Sequence, residues 1–88
     1  MKLMKIFYSS KFEKEYRKLP LKIKLLAEKK EKIFRHNPFS LSLKTHKLKG
    51  RLSDFWAFSI DFHYRIIFEF VKKNEVWFLS VGTHSVYD

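Results

Sequence analysis

The chain has 88 residues, of which 45% are apolar and ten are phenylalanine, enough for one small domain with a single core. It contains no cysteine, which excludes disulfides and cysteine-ligated zinc, and no apolar run reaches membrane-spanning length. Its first eight residues begin a strand rather than a signal peptide. We therefore expect one domain over residues 1–88, stabilised by packing, in the cytoplasm and without membrane contact.

The net charge of +10 is distributed unevenly along the chain. Residues 1–50 hold fifteen Lys or Arg against four Glu, giving +11, whereas residues 51–88 hold four against five acids, giving −1. Such a field attracts RNA or an acidic protein partner. A well-solvated helical face is the alternative interpretation for scattered lysines.

The first half predicts a strand over residues 3–8 and then two helices. Ser10 and Glu13 have the spacing of a capping box, which predicts that the first helix begins at Ser10. Pro20 separates the helices, and the second ends at Asn37 because the residue before Pro38 avoids the α region. The apolar residues at helical spacing are Phe12, Tyr16 and Leu19 in the first helix and Ile23, Leu26, Ala27, Ile33 and Phe34 in the second. We interpret both stripes as core.

The second half predicts a loop over residues 39–44 and three strands over residues 55–61, 64–71 and 76–81, with Gly50 at their entry. Connections of two or three residues favour antiparallel hairpins. The predicted fold class is therefore α+β, in the order β-α-α-β-β-β, with a helical hairpin packed on an antiparallel sheet.

Arg65 has the strongest functional signal in the chain. It begins the middle strand and precedes three apolar residues, where a guanidinium requires a partner. That partner is either a carboxylate, for which Asp61 and Glu69 are available, or a phosphate in a groove. We interpret Arg65 as a phosphate-holding residue.

Two histidines and a tyrosine complete the predicted catalytic set with Arg65. His84 follows Gly82 just past the last strand, and His46 lies in the basic segment 45–51; an imidazole can both take up and release a proton in catalysis. Tyr87 suits stacking on a base or holding a phosphate. The alternatives are an ordinary exposed histidine, a solvated basic loop, and a tyrosine that covers the core edge.

The predicted RNA-binding residues are Lys47, Lys49, Arg51 and His63. Leu48 is expected to anchor its segment to the core, so that Lys47 and Lys49 point together away from it. His63 lies in a tight connection and is either an accessory ligand or a turn residue.

We predict no metal site and no cofactor, because the histidines lack metal-binding spacing and carboxylates are sparse. RNA carries its own nucleophile, the 2′-hydroxyl. Cleavage therefore needs only a base, an acid and positive charge on the phosphate. These residues suit metal-independent RNA cleavage better than DNA cleavage.

Together these stretches resemble the RelE/ParE superfamily of bacterial toxin-antitoxin toxins over nearly the whole chain. The matching segments are residues 10–19, 37–38, 46–50, 55–60, 64–68 and 82–87. The resemblance implies a RelE-like fold and an mRNA interferase of a type II system, acting in the ribosomal A site. It also implies a cognate acidic antitoxin, and contact with operator DNA only through the antitoxin complex.

The resemblance also implies roles for particular residues. His84 is similar to the catalytic histidine of the YafQ-like branch, and His46 matches a second catalytic position. Arg65 matches the arginine that stabilises the phosphate and transition state. Tyr87 matches a C-terminal aromatic residue that orients the nucleotide or assists proton transfer.

The chain departs from the superfamily pattern at three positions. Ala57 and Ser59 stand where many relatives place Lys or Arg, and Ser42 lies near the carboxylate base of the YoeB-like branch. More of the chemistry therefore falls on the two histidines. The alternatives are a ParE-like toxin that inhibits DNA gyrase without nuclease activity, and a catalytically weak RNA-binding or antitoxin-binding module.

Overall fold

The computed structural model describes residues 3–83, in which two helices pack on one face of a five-stranded sheet. The elements are β1 Lys5–Tyr8, α1 Ser10–Arg17, α2 Leu21–His36, β2 His46–Lys47, β3 Trp56–Ser59, β4 Arg65–Lys72 and β5 Glu75–Gly82. Single 3-10 turns at Leu41–Leu43 and Gly50–Leu52 flank β2. The α+β class and the helical pair are confirmed. The strand β2 adds to the predicted order, because two residues give no periodic signal.

The sheet has the order β1-β5-β4-β3-β2 and is mixed rather than wholly antiparallel. β2, β3, β4 and β5 pair antiparallel, as the tight turns predicted. β1 instead pairs parallel with β5, from Lys5 opposite Glu75 to Tyr8 opposite Phe78. Tight turns determine direction only for the strands that they join, and two helices follow β1.

Helix α1 begins at Ser10, as predicted, but its cap is Ser9 rather than Ser10, the first residue of the predicted capping box. The Ser9 hydroxyl oxygen accepts from the Phe12 backbone N–H at 3.0 Å and donates to the Leu79 carbonyl at 2.9 Å. Ser10 is the first helical residue. The cap therefore stabilises the helix and also attaches it to β5.

The main core lies between the helices and the sheet, and Phe34 of α2 is at its centre. Its ring stacks on Phe58 and meets Phe68 edge-on, with both ring centroids 4.9 Å away. Burial of the predicted helical stripes in this core is confirmed for Phe12, Leu19, Ile23, Ala27 and Phe34, with Tyr16, Leu26 and Ile33 packed against it. Within residues 3–83, no helix is long and apolar enough to cross a bilayer.

A second, smaller cluster covers part of the other face of the sheet. Leu48, Ala57 and Ile67 are buried there, with Leu52 and Phe55 packed against them. The segment that follows β2 thus folds over the face opposite the helices. The next row of residues toward the end of the β3–β4 hairpin, Ser59 and Arg65, is only half-buried.

Candidate nucleic-acid interface

Arg65 is the first residue of β4 and lies opposite Ser59 on one side and Gly82 on the other. Its Nη1 donates to the carbonyl oxygens of Asp61 at 3.0 Å and Phe62 at 3.3 Å. These bonds orient the guanidinium at the end of the β3–β4 hairpin.

The carboxylate of Asp61, one of the two carboxylates considered as a partner for Arg65, stabilises the hairpin turn. Its Oδ1 accepts from the backbone N–H groups of His63 and Tyr64, both at 2.8 Å. This is the turn-forming use of an aspartate side chain. The position of Arg65 therefore depends on a turn that Asp61 itself organises.

A basic pocket of about 270 Å³ lies at this end of the sheet, between the β3–β4 hairpin, α2 and the turn before β2. Its lining residues are Lys30, Ser42, Lys44, Ser59, Ile60, Asp61, Phe62 and Arg65. The lining thus contains three cationic side chains, two hydroxyl groups and one carboxylate. A pocket with this charge suits an anion such as a phosphate group.

His46 is an exposed residue of β2, and its ring is held by the backbone. The Nδ1 atom lies 3.1 Å from the Lys44 carbonyl oxygen. A carbonyl oxygen only accepts, so Nδ1 carries the proton in this hydrogen bond. In the neutral ring the lone pair is then on Nε2, which is available to take a proton from another group.

The sheet register places His46 and Arg65 on the same face. His46 lies opposite Ala57, and Arg65 lies opposite Ser59, two residues further along β3. Strand and residue spacings put the two Cα atoms roughly 12 Å apart. Both side chains are long enough to contact one nucleotide placed between them.

The predicted RNA-binding residues lie at several places. Lys47 is opposite Trp56, whose side chain packs on the helical side, so the register places Lys47 on the face away from Arg65. Lys49 and Arg51 are exposed around the second 3-10 turn. His63 is exposed in the β3–β4 turn. The anchor expected at Leu48 is confirmed, since only 7% of that residue is accessible.

Two predicted catalytic residues, His84 and Tyr87, lie outside the described residues. β5 ends at Gly82, opposite Arg65, two positions before His84 in the sequence. Across residues 3–83, no three His, Asp or Glu side chains are arranged as a metal site requires.

Sequence reasoning missed Lys30 and Lys44 as residues of this region. Lys30 is one of five lysines in α2, and no periodic signal separates it from the others. Lys44 immediately precedes the basic segment, in a left-handed conformation with φ 53° that lysine rarely adopts. Only the absence of cationic side chains at positions 57 and 59, which are Ala57 and Ser59, indicated that other residues supply the positive charge of the site.

The two helices on a mixed five-stranded sheet, with Arg65 and His46 on the opposite face, form the same fold as solved structures of YafQ and of a YoeB/ParE toxin. The RelE-like fold expected from the sequence is thus confirmed.

Particular solved structures show this likeness over nearly the whole chain. YafQ from E. coli strain BL21(DE3) has a TM-score of 0.78 at 17% identity, covering 96% of this chain and 97% of that one. YafQ in the E. coli DinJ-YafQ toxin-antitoxin complex has a TM-score of 0.76 at 17% identity, covering 96% of each chain. The YoeB/ParE toxin from Agrobacterium tumefaciens has a TM-score of 0.76 at 15% identity, covering 92% of this chain and 99% of that one. No protein-family model and no curated protein sequence matches the chain.

Proposed function

We propose that this chain is the toxin of a bacterial type II toxin-antitoxin system and cleaves messenger RNA on the ribosome, in the cytoplasm. The observation that carries the proposal is the placement of His46 and Arg65 on one sheet face beside a basic pocket. The RelE-like fold supports it, since a solved neighbour with this fold is a toxin in complex with its antitoxin.

In the proposed reaction, His46 acts as the base. Its Nε2 takes the proton of the 2′-hydroxyl, and the 2′-oxygen forms a bond to the neighbouring phosphorus as the bond to the 5′-oxygen breaks. The leaving 5′-oxygen receives a proton from His84. The products are a 2′,3′-cyclic phosphate and a 5′-hydroxyl, and the reaction consumes neither a metal nor a cofactor.

Arg65 stabilises the charge that builds up on the phosphate during this reaction. A planar guanidinium donates two parallel hydrogen bonds to phosphate oxygens, and its orientation by the Asp61 and Phe62 carbonyls reduces the cost of ordering it. Tyr87 orients the nucleotide. Lys49, Arg51 and His63 contact the RNA backbone on either side, and Lys47 contacts it around the edge of the sheet, because β2 is the edge strand.

The proposed partner is a small acidic antitoxin. The toxin contacts operator DNA only through its complex with this antitoxin. Leu21 and Leu25, one turn apart on α2, are 70% and 58% exposed, far more than core leucines. Lys22 and Lys29 line the same apolar groove. Exposed leucines beside lysines fit an amphipathic acidic helix that folds on binding.

The decisive test is induced expression followed by mapping of RNA 5′ ends, with matched reactions on purified RNA with and without ribosomes and chelator. We expect growth arrest and new 5′ ends in translated messages. Arg65→Ala and His84→Ala should abolish both while the proteins remain folded by circular dichroism. Full toxicity of both variants would contradict the proposal.

A ParE-like toxin that inhibits DNA gyrase is the second candidate. A solved neighbour described as a YoeB/ParE toxin favours it, whereas the lack of strand cations at Ala57 and Ser59 favours the weak binding module. A gyrase inhibitor has no need of paired histidines beside a phosphate-holding arginine. Double-strand breaks with intact messenger RNA after induction would establish this alternative, whereas RNA binding without cleavage on translating ribosomes would indicate the weak binding module.

A further inference from the structure

We propose that Lys44 and Lys30 form, with Arg65, a phosphate-binding pocket that replaces the cations missing from β3. The ligand is the phosphate of the RNA backbone next to the one that reacts. The identification of this ligand as RNA rests on the proposed function. Many RelE-like proteins carry this positive charge on a strand. Here it would come from Lys44 in a turn and from Lys30 in a helix.

The composition of the pocket supports this assignment. Ser59 points into the pocket from β3, in the row of Arg65, where its short side chain leaves space rather than charge. Lys30 and Lys44 line the same space. The one carboxylate, that of Asp61, already accepts two backbone hydrogen bonds in the turn. With three cations and one carboxylate, the net charge of the lining is therefore positive, which suits a phosphate.

Lys44 is held in the position that this role needs. Within residues 3–83 it is the only non-glycine residue with a positive φ, 53°. Its N–H donates to the Leu41 carbonyl at 3.2 Å, and its own carbonyl accepts from His46 Nδ1 at 3.1 Å. An unfavourable backbone conformation persists where its surroundings impose it. Lys44 thereby connects the proposed base to the phosphate pocket.

Lys30 approaches the pocket from α2. It is half-buried, and its Nζ donates to the Ser42 carbonyl at 3.3 Å, which holds the ammonium group beside the turn that carries Lys44. Lys32, two residues further along the same helix, is exposed and does not line the pocket. The two lysines therefore provide a matched pair in which only position differs.

The test measures binding of a single-stranded 2′-O-methyl RNA oligonucleotide, which lacks the nucleophile, by fluorescence anisotropy over a range of salt concentrations. Lys44→Gly removes the charge and suits the positive φ, so the variant remains folded. We expect Lys44→Gly and Lys30→Gln each to weaken binding about fivefold. Each should also reduce the slope of log K against log salt by about 0.7, one phosphate contact to a single strand.

A rescue variant shows whether binding depends on a cation in this pocket or only on the total charge of the protein. Ser59→Lys added to Lys44→Gly returns a cation to the same pocket from β3, and should restore both the affinity and the salt slope. Lys32→Gln is the control and should change neither appreciably. The proposal is overturned if Lys44→Gly behaves like Lys32→Gln, if Ser59→Lys gives no rescue, or if the wild-type chain does not bind the probe.

Failure of the pocket and failure of the nuclease proposal give different results. If messages are cleaved on ribosomes while Lys44 and Lys30 contribute nothing to probe binding, only the pocket is disproved. If both lysines govern binding but no RNA is cut, the pocket stands and the chain is the weak binding module.

Discussion

The carboxylate of Glu15 in α1 accepts a hydrogen bond from the backbone N–H of Val81 in β5, at 3.1 Å. The same oxygen accepts from the Ser80 hydroxyl at 2.7 Å. β1 ends opposite Phe78, so among residues 3–83 no strand pairs with the last part of β5 on that side. Glu15 supplies the acceptor that a longer β1 would have provided, and it fixes the end of β5 just before Gly82, which lies opposite Arg65.

Glu15→Ala should destabilise the fold, because it leaves two buried donors, Ser80 and Val81, without their acceptor. We expect the free energy of unfolding to fall by about 2 kcal/mol, and by less than about 1 kcal/mol for Glu15→Gln, which keeps an acceptor oxygen. Urea unfolding monitored by circular dichroism measures both. Glu28→Ala, at an exposed glutamate of α2, is the control. Equal losses for Glu15→Ala and Glu28→Ala would refute the role of Glu15.

Arg65→Lys tests whether the guanidinium fork matters beyond its charge. A lysine keeps the positive charge but lacks two parallel donors, so cleavage of ribosome-bound message should fall about a hundredfold. Loss of the carbonyl contacts should cost only about 1 kcal/mol of stability. Arg17→Lys, at an exposed position of α1 outside the proposed site, should leave the rate nearly unchanged. Retention of full activity by Arg65→Lys would mean that simple charge suffices.

The raised pKa of Tyr8 predicts that the folded protein loses stability at alkaline pH. Its partial burial, together with the hydrogen bond that its hydroxyl donates to Glu31, raises the pKa of Tyr8 to about 12, from about 10 in an unfolded chain. Between these values the folded protein holds a proton that the unfolded chain has lost, so stability falls as the pH rises through this window. Below pH 10 this contribution is fully present.

The ultraviolet absorbance of tyrosinate measures this effect in the folded protein. We expect Tyr8 to ionise near pH 12 in the wild-type chain and this step to be absent in Tyr8→Phe, whereas Tyr16, whose pKa is also raised by burial, contributes equally to both proteins. The variant should also lose less stability than the wild type between pH 10 and 12. Ionisation of Tyr8 near its ordinary value would disprove the contact with Glu31.

The exposed leucines of α2 predict where the antitoxin binds. A short acidic reading frame is expected beside the gene, and its product should copurify with this chain. Replacing Leu21 and Leu25 together by serine should weaken that complex about tenfold or more, because two apolar anchors are lost. Leu41→Ser, at a leucine with 93% exposure outside this groove, is the control. Unchanged copurification of the double variant would place the antitoxin elsewhere.

Local sequence signals predicted most of the helices and strands, since each relies on near neighbours. The stripe through Ile23, Ala27 and Phe34 predicted which face of α2 is buried, and tight turns predicted β3, β4 and β5. Ser9 and Ser10 are adjacent, so the sequence did not determine which of them caps α1. The parallel pairing of β1 joins segments seventy residues apart, from Lys5 to Glu75, and no local pattern encodes it.

The candidate site was predictable only where a residue conflicts with its surroundings. Arg65 stands out because a guanidinium begins an apolar strand, and His46 because an imidazole lies in a basic segment. Lys44 and Lys30 conflict with nothing in the sequence. Their position in one pocket depends on the left-handed turn before β2 and on the packing of α2, both of which are tertiary properties.

The pairing of β1 with β5 also governs when the protein can form. Since β5 spans Glu75–Gly82, the first strand has no partner until these residues have been synthesised. Contacts of such long sequence separation fold more slowly than local ones. A nascent chain that lacks β5 cannot complete the face on which Arg65 and His46 lie, so synthesis itself delays the appearance of any active molecule.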